Sequence, residues 1–125
     1  MTPVGGPPIL VVEDEILLLE IVVQELRDAG YTVLEATSGE DAIRQMAAEQ
    51  GLAALFTDIR LPGVLNGWDI AEYARQLRPE LPVIYTTGYA PDEQQLVTES
   101  LLIRKPYRIT AVLEALIAKG VPPRS

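Results

Sequence analysis

The chain contains no cysteine and no histidine. Without cysteine there are no disulfides and no thiolate metal sites, which fits the cytoplasm. Without histidine, imidazole catalysis, imidazole metal ligation and a phosphohistidine relay within the chain are excluded. Any metal must then be held by oxygen. Basic residues are few: 10 Lys and Arg stand against 18 Asp and Glu, a net charge of −8. No basic cluster breaks the acidity, so direct DNA binding, which needs a cationic face, is not expected. No apolar run approaches the roughly 20 residues of a membrane span. The opening MTPVGGPPI has neither the basic region nor the long apolar run of a signal peptide. A glycine-rich loop is missing after the first apolar segment, where EDEI stands instead. That argues against a phosphate-cradling nucleotide or flavin module.

What is present is an alternation of two periodicities. The 125 residues are 48% hydrophobic, enough for one compact domain. Strand-like segments occur at 8–14, 31–36, 52–58, 81–88 and 101–106, the first of them a continuous β-branched run as in a strand buried on both faces. Between them lie helical patterns at 15–30, at 39–51 with Ser38 as its cap, at 66–80, a weak one at 90–100, and one at 108–120. Five βα units with short connections predict a five-stranded parallel sheet with helices on both faces. Right-handed crossovers leave few topologies, and the order 2-1-3-4-5 of flavodoxin-like (βα)5 folds is expected. Residues 1–7 are read as a flexible arm, 8–120 as the domain and 121–125 as a tail.

In such sheets, sites form beyond the carboxyl ends of the strands, where strand order reverses. The first strand ends in Glu13 and Asp14. The third ends in Asp58, within LFTDIRLPG, where Pro62 and Gly63 forbid continuation. The fourth ends in Thr86, Thr87 and Gly88, and the fifth in Lys105 and Pro106. Each acid alone reads as a cap or a turn residue; together, three carboxylates, a hydroxyl and an ammonium are delivered to one edge. Three neighbouring carboxylates repel, and one would protonate unless a cation sat among them. An all-oxygen donor set favours Mg²⁺, with Mn²⁺ as the alternative. Lys105 is expected to pair with Asp58 at rest and with phosphate oxygens when a phosphoryl group is present. Thr87 can donate a hydrogen bond to the same oxygens, and Gly88 leaves room for the group.

The acidic pair in VVEDE, the acid in FTDIRLPG, the threonine in YTTGY and the KP pair in RKPY together resemble the receiver domain of two-component response regulators, of the single-domain, CheY-like kind. The resemblance covers roughly residues 8–119. It implies that Asp58 is the phosphoacceptor. It implies that Glu13, Asp14, Asp58 and the backbone carbonyl of Arg60 hold Mg²⁺, that Thr87 is the switch hydroxyl with Thr86 as its rival, and that Lys105 senses the phosphate. A histidine kinase or histidine phosphotransfer protein would be the donor and an unknown downstream protein the target. The face over about 91–119, from the fourth predicted helix to the fifth, would be the signalling surface and the place for a homodimer contact.

Several positions depart from the common pattern. Glu13 stands where many receivers carry aspartate. Leu102, three residues before the lysine, replaces the usual aromatic switch, and Tyr85, Tyr89 and Tyr107 are the candidates to substitute. The LPGVLNG loop is one residue longer than usual. Arg60 and Tyr89 flank the acceptor and are expected to tune access of the hydrolytic water. In the first helix, Leu18, Val22, Leu26 and Ala29 are read as the core stripe. Ile16, Leu19 and Val23 form a second stripe that either docks a histidine-bearing helix or packs laterally. Three rival readings stay open: a phosphorylation-independent scaffold, a small Mg²⁺-dependent phosphohydrolase, although Arg60 stands where such enzymes need a second acid, and a flavin or nucleotide module.

Overall fold

The computed structural model describes residues 6–49, 51–88 and 95–123. In chain order the elements are β1 (Ile9–Val12), α1 (Ile16–Asp28), β2 (Val33–Ala36), α2 (Gly39–Ala48), β3 (Ala54–Asp58), α3 (Gly67–Leu77), β4 (Val83–Thr87), β5 (Leu101–Arg104) and α4 (Ile109–Ala118). The five strands are all parallel and lie in the order β2-β1-β3-β4-β5, as the pattern of apolar runs predicts. Residues 90–94 of the weak helical pattern lie outside the described residues. Over 95–100 the chain runs in short turns rather than in an α-helix.

The sheet separates two apolar layers, and the twofold period of each strand decides which residue joins which. Ile9, Val11, Phe56 and Ile84 pack with Leu19, Val22, Val23 and Leu26 of α1 and with Val112 and Leu116 of α4. Leu10, Val12, Leu55, Val83 and Tyr85 pack with Ala42 and Met46 of α2 and Ile70, Ala71 and Ala74 of α3. Every residue of β1, β3 and β4 is buried. This is why these segments show no polar alternation. Each fully buried Leu, Ile or Val contributes about 1.5–3 kcal/mol relative to exposure.

Helix ends follow local chemistry. Ser38 accepts the Asp41 N–H at the start of α2. Asn66 and Asp69 form a reciprocal capping box at the start of α3, which satisfies two otherwise unpaired N–H groups. Past the end of α1 the chain reverses at Gly30, whose φ of 106° is open to glycine at little cost. Packing continues beyond α4: Val121 is buried, and its carbonyl accepts the Tyr31 hydroxyl at 2.5 Å.

The stripe expected for α1 needs correction. Its buried residues are Leu19, Val22, Val23 and Leu26, spaced i, i+3, i+4, i+7, which is the arc that one helix face presents to a sheet. Leu18 and Ala29 are only flanking contacts. Leu19 and Val23 are therefore core, not a docking stripe. The apolar residues that α1 leaves to solvent are Ile16, Leu17 and Ile21, 53%, 76% and 60% exposed.

Candidate functional site

Register brings the acids together. Val12 of β1 pairs with Thr57 of β3, so Glu13, one residue on, arrives beside Asp58. On the other side, Asp58 pairs with Thr86 of β4, and Thr87 pairs with Arg104 of β5. Lys105 follows Arg104, and its N–H donates to the Thr87 carbonyl at 2.9 Å. The lysine thus enters the site from the far strand, on a backbone fixed to the end of β4.

Lys105 Nζ donates to Asp58 Oδ2 at 2.8 Å and to Glu13 Oε1 at 2.7 Å. Both carboxylate side chains are nearly enclosed, 8% and 5% exposed, and the lysine side chain is 22% exposed. The remaining oxygens are also engaged: Glu13 Oε2 accepts the Glu15 N–H at 3.1 Å, and Asp58 Oδ1 accepts the Arg60 N–H at 3.3 Å. Burial pushes the Glu13 carboxyl above its ordinary range, outweighing the lysine's opposite pull. Burial alone would lower the Lys105 ammonium, but hydrogen bonds to Asp58 and Glu13 win and raise it well above its ordinary value. The ammonium is therefore charged across the physiological range.

Glu13, Asp14 and Asp58 each offer a carboxylate oxygen, all within 4.8 Å of one another. Asp14, unlike the other two, is exposed. Three hard oxygen donors at the mouth of a strand edge suit a Mg²⁺ ion that keeps part of its water shell. Arg60 sits at the same edge with an exposed side chain. Thr87 and Thr86 are each 2% exposed. Among the described residues the Thr86 hydroxyl has no hydrogen-bond partner. Tyr107 stacks edge-on against Phe56, with ring centroids 5.8 Å apart. Its phenol is pushed up to about 12 by burial first and then by the Glu13 charge.

Comparison with known proteins shows the family. Residues 9–116 match the family described as the response regulator receiver domain. The chain belongs to that family. It is 32% identical over 82 residues to the response regulator receiver protein CpdR of Brucella abortus, covering 66% of this chain and 67% of that one. It is 25% identical over 114 residues to the autoinducer 1 sensor kinase/phosphatase LuxN of Vibrio campbellii, covering 89% of this chain but spanning only 13% of that much longer protein. The crystal structure of a response regulator receiver protein from Sinorhizobium medicae superposes with a TM-score of 0.86 at 30% identity, covering 90% of this chain and 93% of that one.

Two features of this receiver domain were not singled out in the sequence. The first is Gly67. A Cβ there would lie 2.3 Å from the Asp58 carbonyl oxygen and 2.8 Å from Ile59 Cα, distances no side chain tolerates. Its N–H donates to the Ile59 carbonyl at 2.8 Å. The start of α3 is thereby pressed onto the backbone that carries Asp58. The signal was the NG pair before a helical pattern, which reads equally well as an ordinary cap. The second is Glu40 of α2, whose Oε2 accepts the Val64 N–H at 3.2 Å and so holds the loop that follows Asp58. Tyr89, one of the residues expected to flank the acceptor, lies outside the described residues.

Proposed function

We propose that the chain is a phospho-accepting switch in which Asp58 takes a phosphoryl group from the phosphohistidine of a histidine kinase or phosphotransfer protein. The observation that carries this reading is the Asp58 carboxylate itself. It is enclosed at a strand end, held by Lys105 at 2.8 Å and grouped with two further carboxylates. An Asp58 oxygen forms the new bond to phosphorus, the phosphorus–nitrogen bond to imidazole breaks, and the histidine departs. Loss of the group is the reverse in kind: water attacks phosphorus, and Asp58 leaves as carboxylate with inorganic phosphate released. When bound by Glu13, Asp14, Asp58 and the Arg60 carbonyl, Mg²⁺ supplies charge neutralisation for the transferring group. Lys105 supplies a second positive charge, and the Thr87 hydroxyl a hydrogen bond to a phosphoryl oxygen. Phosphoryl transfer needs little more than such positioning and neutralisation.

The chemistry is self-directed, with the chain's own carboxylate as substrate, and the output is a changed protein–protein contact in the cytoplasm. The exposed Ile16, Leu17 and Ile21 begin three residues after Glu13, on the helix that follows the site's first strand, and suit a histidine-bearing helix docking there. The face expected over 91–119, of which 95–119 lie among the described residues, is left for the downstream protein or a second copy. The test is intact-mass spectrometry after incubation with a small phosphodonor or a histidine kinase, with and without Mg²⁺. One phosphoryl adduct on the native chain, absent in Asp58→Asn and absent without the metal, is the expected result. An adduct that persists in Asp58→Asn would assign the acceptor elsewhere. No adduct from either donor would favour a phosphorylation-independent scaffold.

A further inference from the structure

Thr86 is the register partner of Asp58 and is 2% exposed. Ile84, two residues earlier, faces the layer against α1 and α4 together with Phe56, two residues before Asp58. The twofold period of a strand therefore puts the Thr86 and Asp58 side chains on the same face. Lys105, just past β5, reaches Asp58 on β3 and Glu13 beyond β1. Because β4 lies between β5 and β3, the span from Lys105 to Asp58 crosses the carboxyl end of β4, where Thr86 stands as the register partner of Asp58.

Two donor counts then meet. The ammonium has three N–H groups and gives one to Asp58 and one to Glu13. The Thr86 hydroxyl is buried with no partner among the described residues. An orphan hydroxyl destabilises the state in which it is orphaned, and valine would occupy the same space without that penalty. The hydroxyl acquires a use when Glu13 changes partner. Glu13 Oε1 is the oxygen that holds Lys105 while Oε2 accepts a backbone N–H, and a cation seated among Glu13, Asp14 and Asp58 that draws on Oε1 competes with the lysine for it. The lysine then loses an acceptor. Only two buried side-chain polar atoms are uncommitted among the described residues, and the other, Trp68 Nε1, is a donor.

We propose that Thr86 is a positioning residue for the phosphorylation reaction: its hydroxyl accepts an N–H of Lys105 once that lysine gives up Glu13, and keeps the ammonium over Asp58. This inference rests on the reading of Asp58 as phosphoacceptor. It is separate from the role given to Thr87, which donates to the phosphoryl group itself.

The test compares the native chain with Thr86→Val and Thr86→Ser in two measurements. The first is thermal unfolding without metal. The second is calorimetric titration with beryllofluoride, a phosphoryl mimic, in the presence of Mg²⁺. Thr86→Val is expected to melt at or above the native temperature and to bind the mimic roughly tenfold more weakly, the size of one hydrogen bond to a charged group. Thr86→Ser, which keeps the hydroxyl, is expected to bind like the native chain. If Thr86→Val binds as tightly as the native chain, the inference is overturned and the reading of Asp58 stands. If both variants bind weakly, side-chain shape rather than the hydroxyl matters, and the inference is again overturned. A clearly lower melting temperature for metal-free Thr86→Val would show the hydroxyl already partnered at rest, which overturns the inference as well. If the native chain itself fails to bind the mimic, the reading of Asp58 falls and this inference with it.

Discussion

Tyr85 and Leu102 are register partners on β4 and β5, and the tyrosine is the enclosed member of the pair. Its side chain is fully buried, and its hydroxyl accepts the Val97 N–H at 3.0 Å. Leu102 is only partly buried against the same layer. An aromatic side chain thus stands one strand away from where the family pattern expects it. It ties the turn before β5 to the interior of the sheet. Replacing Tyr85 with Phe keeps the ring and removes the acceptor. The expected cost is about 1 kcal/mol, with faster hydrogen exchange at the Val97 amide. Unchanged exchange there would mean that the turn is held by other contacts.

Lys105 bridges two nearly buried carboxylates with a single positive charge. Replacing it with Met leaves Glu13 and Asp58 facing each other uncompensated. The metal-free protein should lose about 3 kcal/mol, the lower end for breaking a buried pair. Mg²⁺ should then raise the melting temperature more in Lys105→Met than in the native chain, because the cation neutralises the same carboxylates. Equal increments in the two proteins would argue against a metal among these residues.

Gly67 tests how tightly α3 is pressed on the strand that carries Asp58. Gly67→Ala places a Cβ against the backbone of Asp58 and Ile59, and backbone cannot move aside as a flexible side chain can. A loss of about 2–3 kcal/mol in urea unfolding is expected, at the upper end for overpacking. A neutral result would show that the start of α3 shifts freely, and Asp58 would then be less rigidly held than its contacts imply.

Tyr31 sets an alkaline limit on stability. Burial raises its phenol above the ordinary 10.0, and the protonated hydroxyl donates to the Val121 carbonyl. The unfolded chain loses this proton first as pH rises, so the native state is the one that holds more protons in that window. The stabilisation is complete below about pH 10 and declines above it. Denaturant unfolding of the native chain and Tyr31→Phe between pH 8 and pH 11 should converge as pH rises, from a difference of about 1 kcal/mol at the lower end. Parallel curves would indicate that Tyr31 titrates alike in both states.

Leu17 is the most exposed of the three apolar residues that α1 leaves to solvent. Leu17→Glu should change stability by less than about 0.5 kcal/mol, as surface substitutions do. It should slow phosphoryl transfer from a histidine kinase that labels the native chain, while labelling by a small donor stays the same. Equal slowing with both donors would point to damage at the acceptor rather than at a docking surface.

Much of this protein follows from its sequence alone. The five strands, the helices between them and the strand order come from local periodicity and from the few topologies that short right-handed connections permit. The delivery of Glu13, Asp14, Asp58, Thr87 and Lys105 to one edge comes with them, since each residue stands at a strand end that the sequence marks with a turn. The tertiary structure alone decided which neighbours these groups acquire. Lys105 joins Glu13 and Asp58 across 92 and 47 residues of chain. The enclosure of Glu13 but not Asp14, the close seat of Gly67 and the burial of Leu19 and Val23 all depend on register and on helix rotation. Those are fixed only when the two layers of side chains pack against the sheet, and no local pattern encodes them.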